Sequence, residues 1–465
     1  MGWRAVLGWS VATAMVLATC SGSQDCTLGD AASCPGVQVC EQLQGQAQPR
    51  CFQPVVLQGK VFDLSSGAGL GGADVTASDE NGAPVGATVK TNGDGTYSLR
   101  IPSARTDDQG AFQARKVMLR SQAKNFVAFP SGARVSLPID TATAAQANPG
   151  APFILKTAQT DIGLSAVPSG ERDLPSVSGS VEVSADQAPV LVAMEDSQGK
   201  GRTVLAGPGG SFSFFNVPAG AWKLGAYSRG ASYVGQDLAV QAQDVAGLSV
   251  KRSAVASATL SGKVQLVAGA APGTSVVLAL ESTFIASTGR GDVVPGLRAP
   301  DPGTPPTLTG DWTISGIPDG RYVVLAAFEN DGNVRDPDPG ISGTQIQHVV
   351  VSGGSIQDAV SPSFKVTAAV ELVGPGKDGP EGIPTATPTF AWTAYPNADA
   401  YVLEVFDALG SPLWTKAIPD KSTTTAVYDG PALTRGQVYQ WRATALRKQL
   451  PTSMTEELRG VIFLQ

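Results

Sequence analysis

The stretch "GDWTISGIPDG" (310–320) decides the fold, because its apolar side chains recur at every second position before a proline turn. Trp312 and Ile314 lie on one face of a predicted strand, and the residues between them point the other way. Pro318 and Gly320 then turn the chain into another apolar strand. A sheet with one apolar face needs a second layer to cover it, so the stretch predicts part of an antiparallel β-sandwich.

Two related stretches occur earlier in the chain, and each of the three follows a strand pattern built around a glycine. The related stretches are "GTYSLRIP" (95–102) and "GSFSFFNVPAG" (210–220), and the glycine-centred patterns are "LQGKVF" (57–62), "VSGSVEV" (177–183) and "LSGKVQL" (260–266). The repetition predicts three sandwiches, at 55–175, 176–255 and 256–373. The first copy departs from the others because no glycine follows Pro102 closely.

This combination of an "SGKV"-like strand and a Gly-aromatic strand ending at Val/Ile-Pro-x-Gly resembles the carboxypeptidase regulatory-like domain. It is also similar to the related transthyretin-like and carbohydrate-binding-like sandwiches. The resemblance covers residues 55–360 in three copies. It implies spacer or binding modules, and despite the family's name it implies no peptidase.

A fourth unit of another kind follows a Gly/Pro-rich stretch, "GPGKDGPEGIPTATP" (374–388), which is typical of a linker. Residues 389–465 resemble a fibronectin type III domain, with Trp392 in the position of the early buried tryptophan. The family's later signature, which includes the tyrosine corner, matches Leu433, Gly436, Tyr439, Trp441 and Ala443. The fold class that the whole chain predicts is all-β: a string of sandwiches after a signal peptide and a small disulfide-rich segment.

The N-terminus has the organisation of an export signal. One positive charge precedes the apolar run from Ala5 to Ala18, which is too short to span a bilayer as a mature helix. The stretch "LATC" (17–20) resembles the lipobox of bacterial lipoproteins, although Thr19 stands where that family more often has Gly or Ala. The resemblance implies a signal peptide at 1–19, a lipid on Cys20 and, because Ser21 follows, an outer-membrane location. The alternative is ordinary secretion, which leaves Cys20 unpaired.

All five cysteines lie within the first 51 residues, and removing the lipidated one leaves an even number. Disulfides persist in exported proteins, so segment 20–54 is predicted to hold two of them. The spacing lacks the CxxC pairs that are typical of zinc sites. Three pairings remain open for Cys26, Cys34, Cys40 and Cys51.

Composition argues against two function classes. The net charge is −7 and no cluster of Lys and Arg stands out in the mature chain, so nucleic-acid binding is not expected. The single histidine, His348, lies in a predicted strand, and the chain has neither a Gly-x-Ser-x-Gly nor an HExxH motif. Few pairs of nucleophile and base are available, and the sequence therefore predicts a protein that is not an enzyme.

The acidic stretch "FENDGNVRDPDPGISG" (328–343) is similar to the calcium loops of repeat domains in bacterial surface adhesins. Oxygen ligands at alternate positions suit the 6–8 coordination of calcium. Ala327 stands where that loop has its first Asp, which favours the alternative of a solvated acidic turn. Calcium is the only cofactor that the sequence suggests, with candidate ligands Glu329, Asp331, Asn333, Asp336 and Asp338.

Sugar binding requires an aromatic ring with an exposed face. The alternation assigns Trp222, Trp312, Trp392 and Trp441 to cores, which leaves Trp414 as the candidate for stacking on a sugar. The sequence thus predicts a membrane-anchored surface lipoprotein that acts as a scaffold or adhesion module, with a protein or glycan partner. The alternative is a carbohydrate-binding lipoprotein of an attachment or polysaccharide-binding system.

Overall fold

Strands make up nearly all of the regular structure in the computed structural model of the chain. The structure describes residues 1, 26–28, 33–79, 84–130, 136, 139–167, 169–184, 189–207, 209–266, 275–285, 291–301, 308, 310–327, 333–335, 347–357, 363–378, 381–407, 412–435, 437–456 and 459–465. In this part of the chain, no helix combines the length and the apolar character that a membrane span requires.

The strands fall into an N-terminal pair and four groups. The pair is β1 (Val39–Glu41) and β2 (Arg50–Phe52). The first group is β3 (Val55–Asp63), β4 (Asp74–Asp79), β5 (Val89–Lys90), β6 (Thr96–Ile101), β7 (Lys116–Gln122), β8 (Ile139–Asp140), β9 (Ala145–Gln146), β10 (Phe153–Leu155) and β11 (Ile162–Leu164). The second is β12 (Val177–Val181), β13 (Leu191–Asp196), β14 (Gly201–Leu205), β15 (Ser211–Phe214), β16 (Gly220–Tyr227), β17 (Ser232–Tyr233), β18 (Gln236–Val240), β19 (Val245–Val250) and β20 (Arg252–Ser253).

The third group is β21 (Ala258–Leu266), β22 (Ser275–Leu280), β23 (Val293–Ala299), β24 (Gly310–Ile317), β25 (Gly320–Ala327), β26 (Asn333–Arg335), β27 (Gln347–Ser352), β28 (Ser355–Ile356) and β29 (Ser363–Ala368). The fourth is β30 (Leu372–Gly374), β31 (Glu381–Ile383), β32 (Thr389–Trp392), β33 (Ala400–Phe406), β34 (Pro412–Ile418), β35 (Thr425–Val427), β36 (Val438–Arg447), β37 (Leu450–Met454) and β38 (Val461–Leu464). Single 3-10 turns occur at Thr141–Thr143, Ala158–Thr160, Ser169–Glu171 and Glu281–Thr283.

Each group forms two main sheets, with a further two-stranded sheet of β17 and β20 in the second group, so the chain is a β-sandwich repeat protein. The second sandwich pairs a sheet of order β15-β12-β19 with one of order β14-β13-β16-β18. The third pairs β24-β21-β29-β26 with β23-β22-β25-β27-β28, and the fourth pairs β30-β32-β35 with the sheet around β36. In β6 the burial strictly alternates, with Tyr97, Leu99 and Ile101 inside, as the sequence pattern predicts. The predicted all-β fold class is confirmed.

Most of the strand pairs with a known register are antiparallel, and each sandwich also contains a parallel pair. An early strand lies beside a late one in β3·β11, β12·β19, β21·β29 and β31·β38. A Cβ on Gly59 would lie 2.0 Å from the carbonyl oxygen of Thr160, and one on Gly179 would lie 2.3 Å from that of Leu248. The repeated glycine is therefore the position where the late part of the chain approaches the first strand.

The fourth sandwich begins earlier than the Gly/Pro-rich stretch suggested. β31 lies within the predicted linker 374–388, yet it pairs in parallel with β38 along Glu381↔Ile462 to Ile383↔Leu464. Glycine and proline here mark turns around a short edge strand, which requires few apolar residues of its own. The backbone N–H of Thr434 donates to the Tyr439 hydroxyl at 2.8 Å, within the predicted tyrosine corner.

The chain divides into two compact units. The larger contains Val55–Ile101, Ala114–Ala145 and Ile154–Gln465. The smaller, called here the disulfide unit, joins Met1–Pro54 to two segments that the sequence had placed in the first sandwich, Pro102–Gln113 and Gln146–Phe153.

The disulfide unit is closed by the two predicted disulfides, and the structure selects one of the three pairings. Cys26 joins Cys40, and Cys34 joins Cys51. The sulfurs of Cys26, Cys34 and Cys40 lie close enough together to hold a metal. These sulfurs are joined in the two disulfides, Cys26 with Cys40 and Cys34 with Cys51.

A buried ion pair takes the place of an apolar core in the disulfide unit. The Arg105 side chain is fully buried and its Nε donates to Glu41 Oε2 at 2.6 Å. Its remaining nitrogens donate to the carbonyl oxygens of Gln53 and Gly110 at 2.6 and 2.7 Å. The guanidinium also lies 5.1–5.8 Å from three ring centroids, those of Phe52, Phe112 and Phe153.

Candidate functional site

The second and third sandwiches share one apolar interior. Val192 and Met194 of β13 face the core of their own sandwich. Leu191 and Ala193 point the other way and belong to the core of the third sandwich. Because β13 is buried on both faces from Leu191 to Met194, its sequence "LVAM" is apolar throughout rather than alternating. These two sandwiches are therefore packed together as one body.

Rings and charged groups continue this junction beyond β13. Tyr227 meets Tyr322 edge to face, with centroids 6.3 Å apart. Burial, with a smaller contribution from the nearby Glu195, raises the pKa of Tyr227 to about 12. At the rim, Arg229 pairs with Asp301 at 2.7 Å, and the N–H of Gly230 donates to the carbonyl oxygen of Gly316 at 2.7 Å.

The buried side chain of Asn216 joins the first and second sandwiches. Its Nδ2 donates to the carbonyl oxygens of Ala123 and Phe126 at 3.1 and 2.9 Å. Its Oδ1 accepts from the N–H of Asn125 at 2.6 Å. The backbone of Asn216 is left-handed, with φ +54°, a conformation that asparagine tolerates better than most residues.

Asp292 connects all three repeats. It precedes β23 of the third sandwich, and its Oδ2 accepts from the hydroxyl of Thr203 in the second at 2.5 Å. Its Oδ1 accepts from Arg120 of the first at 3.4 Å. One carboxylate thus contacts a residue of each neighbouring sandwich.

A groove of about 900 Å³ lies where these three sandwiches meet, and it is called here the inter-sandwich groove. Residues that line it include Lys90, Arg120 and Phe126 of the first sandwich, Arg202 and Phe215 of the second, and Asp292 of the third. The volume falls in the range of small-molecule and short-peptide sites, and the lining combines rings with polar groups, as binding sites commonly do.

The charges in the groove are unevenly paired. Lys90 forms an ion pair with Asp74, and Arg120 has its weak contact with Asp292. Arg202 lies 5.9 Å over the Trp222 ring and donates to the carbonyl oxygen of Asn216 at 2.6 Å. Burial lowers the pKa of Arg202, partly offset by nearby carboxylates, yet arginine stays charged at physiological pH. Arg202 is thus a cation that is held in place with no described carboxylate within ion-pair distance, although Glu171 and Asp196 lie near it.

The histidine of the chain lies outside the groove and is paired. His348 Nδ1 lies 2.7 Å from Glu281 Oε1, and Glu281 also accepts from Arg321. Burial acts to raise the pKa of Glu281, but the hydrogen bonds from Arg321 and His348 outweigh it, so that pKa lies below its ordinary value. The sequence placed His348 in a strand, and it lies in β27, where it takes part in an ion-pair cluster at the surface.

Trp414 is packed differently from the free platform that sugar stacking needs. Its indole N–H donates to Asp429 at 2.7 Å, and its ring meets Tyr428 at 5.1 Å, nearly edge to face. Lys416 lies 5.7 Å over the ring and also pairs with Asp429. The ring is half-buried against the core of the fourth sandwich.

The remaining predicted sites lie wholly or largely outside the described residues. Cys20 is among residues 2–25, and four of the proposed calcium ligands, Glu329, Asp331, Asp336 and Asp338, also lie outside. Asn333 belongs to β26, where its backbone pairs with Ala368. Lipidation and calcium binding therefore stay predictions.

The sequence did not reveal the groove, because its residues come from three separate repeats. Asn216 and Asp292 look like ordinary turn residues in sequence. One signal was present: "PVLVAME" breaks the alternation that the other strands keep, and a strand without a polar face indicates burial on both sides.

Comparison with known proteins adds little to the geometry. No family model matches the chain, and no curated protein matches it. Among solved structures, the Bacillus anthracis TIE protein is 10% identical, with a TM-score of 0.15 and coverage of 91% of this chain and 72% of that one. Two B repeat units of the Staphylococcus aureus collagen-binding protein are 10% identical, with a TM-score of 0.17 and coverage of 88% and 98%.

The Streptococcal ancillary pilin is 12% identical, with a TM-score of 0.16 and coverage of 68% and 99%. TM-scores of this size do not establish a common arrangement. The assignment of a β-sandwich repeat protein therefore rests on the sheets of this chain alone.

Proposed function

We propose that the chain is a bacterial surface lipoprotein that displays a binding surface and performs no catalysis. In this proposal, Cys20 carries the lipid, the disulfide unit follows it, and the sandwiches form a scaffold or adhesion module. The three repeats correspond to carboxypeptidase regulatory-like domains and the last to a fibronectin type III-like domain, whose tyrosine corner agrees with the Thr434–Tyr439 hydrogen bond.

The observation that carries the proposal is the double burial of β13. Leu191 and Ala193 join the second sandwich to the third, Asn216 joins the first to the second, and Asp292 contacts both the first and the second. Such joints fix the walls of the inter-sandwich groove, and preformed walls reduce the entropy that binding must overcome. The polar groups of the groove hold neighbouring sandwiches, rather than forming pairs of a nucleophile and a base.

Partner capture from intact membranes tests the display function. After cross-linking, a partner should co-purify with the wild-type chain and decrease at least fivefold with Arg120→Glu, which reverses a charge in the groove. Lys263→Glu, at an exposed position away from the groove, is the matched control and should retain the partner. Equal capture by both variants would place the binding surface elsewhere.

The anchor is tested separately. Labelled palmitate should enter the wild-type chain and be absent from Cys20→Ser, and fractionation should place the wild-type chain in the outer membrane. Label that persists in the variant would remove the lipid from the proposal.

Glycan and calcium binding have direct readouts. The glycan alternative, which rested on Trp414, predicts sugar binding that is lost in Trp414→Ala. A glycan array with the mature chain tests it.

A calcium site in residues 328–343 predicts a rise in melting temperature on adding calcium, and Asp331→Ala should abolish that rise.

A further inference from the structure

β14 is the edge strand of its sheet and lines the inter-sandwich groove along its whole length. The N–H of Asp196 donates to the carbonyl oxygen of Lys200, and that of Ala206 donates to Val190. In an antiparallel pair, hydrogen-bonded positions alternate along the strand. The even-numbered residues of β14 therefore bond to β13, while the backbone groups of Gly201, Thr203 and Leu205 point away from it.

These outward groups have no backbone partner among the described residues. No described N–H donates to the carbonyl oxygens of Gly201, Thr203 or Leu205 from outside the sheet, and their own N–H groups have no such acceptor. An edge strand with free donors and acceptors is a template for another strand. Here the template forms a wall of a groove, so a single extended chain could reach it.

The positive charges along this edge indicate which side chains an added strand would carry. Lys200 and Arg202 are two residues apart, so they share a face of the strand, and neither has a carboxylate within ion-pair distance in the described part of the chain. An added strand places its own side chains directly opposite them, about 5 Å away. Acidic side chains at alternate positions would pair with both cations.

The other face of the edge admits only small or slender side chains. A Cβ on Gly201 would lie 2.4 Å from the hydroxyl of Ser282, which shows how closely the third sandwich approaches there. Thr203 on this face is held by Asp292. A ligand would therefore alternate acidic residues with small or β-branched ones.

We propose that the inter-sandwich groove binds an extended acidic peptide segment, which adds to β14 as a further strand. Backbone hydrogen bonds to Gly201, Thr203 and Leu205 would supply the register, and Lys200 and Arg202 would supply the selectivity for acidic residues. This inference rests on the proposed function, because it names the class of partner for the displayed groove.

The test uses the purified mature chain and two fluorescein-labelled nonapeptides. In one, glutamate alternates with valine and threonine, and in the other lysine replaces every glutamate. By fluorescence anisotropy the glutamate peptide should bind at least tenfold more tightly, and Lys200→Glu should reduce or invert that preference. Equal binding of both peptides, or binding of neither, would overturn the proposal.

Two variants at one position isolate the backbone contribution. Thr203→Val and Thr203→Pro both remove the hydroxyl bond to Asp292, but only proline also removes the outward N–H. Proline at an outward position of an edge strand leaves the bonds to β13 in place. Thr203→Pro should bind the glutamate peptide at least tenfold more weakly than Thr203→Val. Equal affinity would exclude strand addition.

Hydrogen exchange provides a measurement without any variant. Saturating glutamate peptide should slow exchange of the amides of Gly201, Thr203 and Leu205 at least tenfold, whereas unchanged rates would overturn the proposal.

The combined outcomes of partner capture and peptide binding distinguish the display function from the edge-strand proposal. A chain that captures its membrane partner but binds neither peptide refutes the edge-strand proposal alone. A chain that binds the glutamate peptide yet captures no partner refutes the display function alone.

Discussion

The disulfide unit and the joined second and third sandwiches fill their interiors by opposite means. In the disulfide unit, two cystines and the buried Glu41–Arg105 pair occupy the centre. In the joined sandwiches, apolar side chains on both faces of β13 do so. The difference follows from size, because a short segment cannot bury enough apolar surface to fold by itself, while two sandwiches can share a core.

The two regions should also differ in how their stability responds to substitution. A buried ion pair stabilises little compared with a well-packed apolar replacement, but removing one partner is costly because the other charge stays buried. An apolar joint loses stability in proportion to the volume removed. Single substitutions should therefore affect the disulfide unit abruptly and the joined sandwiches more gradually.

The largest effect is expected from Arg105→Ala. It leaves Glu41 buried without its cation and removes the contacts with three rings, so the disulfide unit should lose about 3–5 kcal/mol of stability. Limited proteolysis within residues 33–54 measures the loss. Arg50→Ala, at an exposed ion pair with Asp108, is the matched control and should cost less than about 1 kcal/mol. Equal effects of the two variants would show that burial of the pair is unimportant.

A smaller effect is expected from Asn216→Ala. The variant loses three hydrogen bonds and places alanine at φ +54°. The free energy of unfolding, measured with urea, should therefore fall by about 2–3 kcal/mol. Asn216→Gly removes the same hydrogen bonds, but glycine adopts the left-handed backbone without strain. Its loss of stability should therefore be smaller than that of Asn216→Ala. If the two variants are equally stable, the left-handed backbone contributes nothing.

The smallest effect is expected at the surface cluster of Glu281. The pKa of Glu281 is lowered in the folded chain, so its contribution is present above the unfolded pKa and is lost as the pH falls through the folded pKa. Water screens this cluster, so Glu281→Gln should cost less than about 1 kcal/mol at pH 7. Urea midpoints at pH 7 and pH 3 should show the variant and the wild type converging in acid. A constant gap would contradict the sign of the shift.

The sequence predicted the regular parts of the molecule well. Alternation in β6, β15 and β24 placed Tyr97, Phe212 and Trp312 inside, because a two-residue period can be recognised locally. The joints could not be predicted in the same way, since Asn216, Asp292 and Arg202 acquire their roles from repeats that are distant in sequence. The ion pair between Glu41 and Arg105 was missed for the same reason: 64 residues separate its partners.

Trp414 shows the limit of reasoning by exposure. The sequence singled it out because alternation assigned the other four tryptophans of the mature chain to cores. In the structure its ring is half-buried and contacts Asp429 and Tyr428. The free backbone of β14 shows the converse, because no side-chain pattern indicates which strand lies at a sheet edge.

Hydrogen exchange of the full mature chain carrying Leu191→Ala tests most directly whether the second and third sandwiches form one body. Leu191 lies on β13 but faces the core of the third sandwich. The amides of β13 and of β22 should lose the same protection, about 2–5 kcal/mol, while the exposed control Val427→Ala changes neither. Loss of protection in β13 with β22 unchanged would show that the two sandwiches fold independently and would contradict the account.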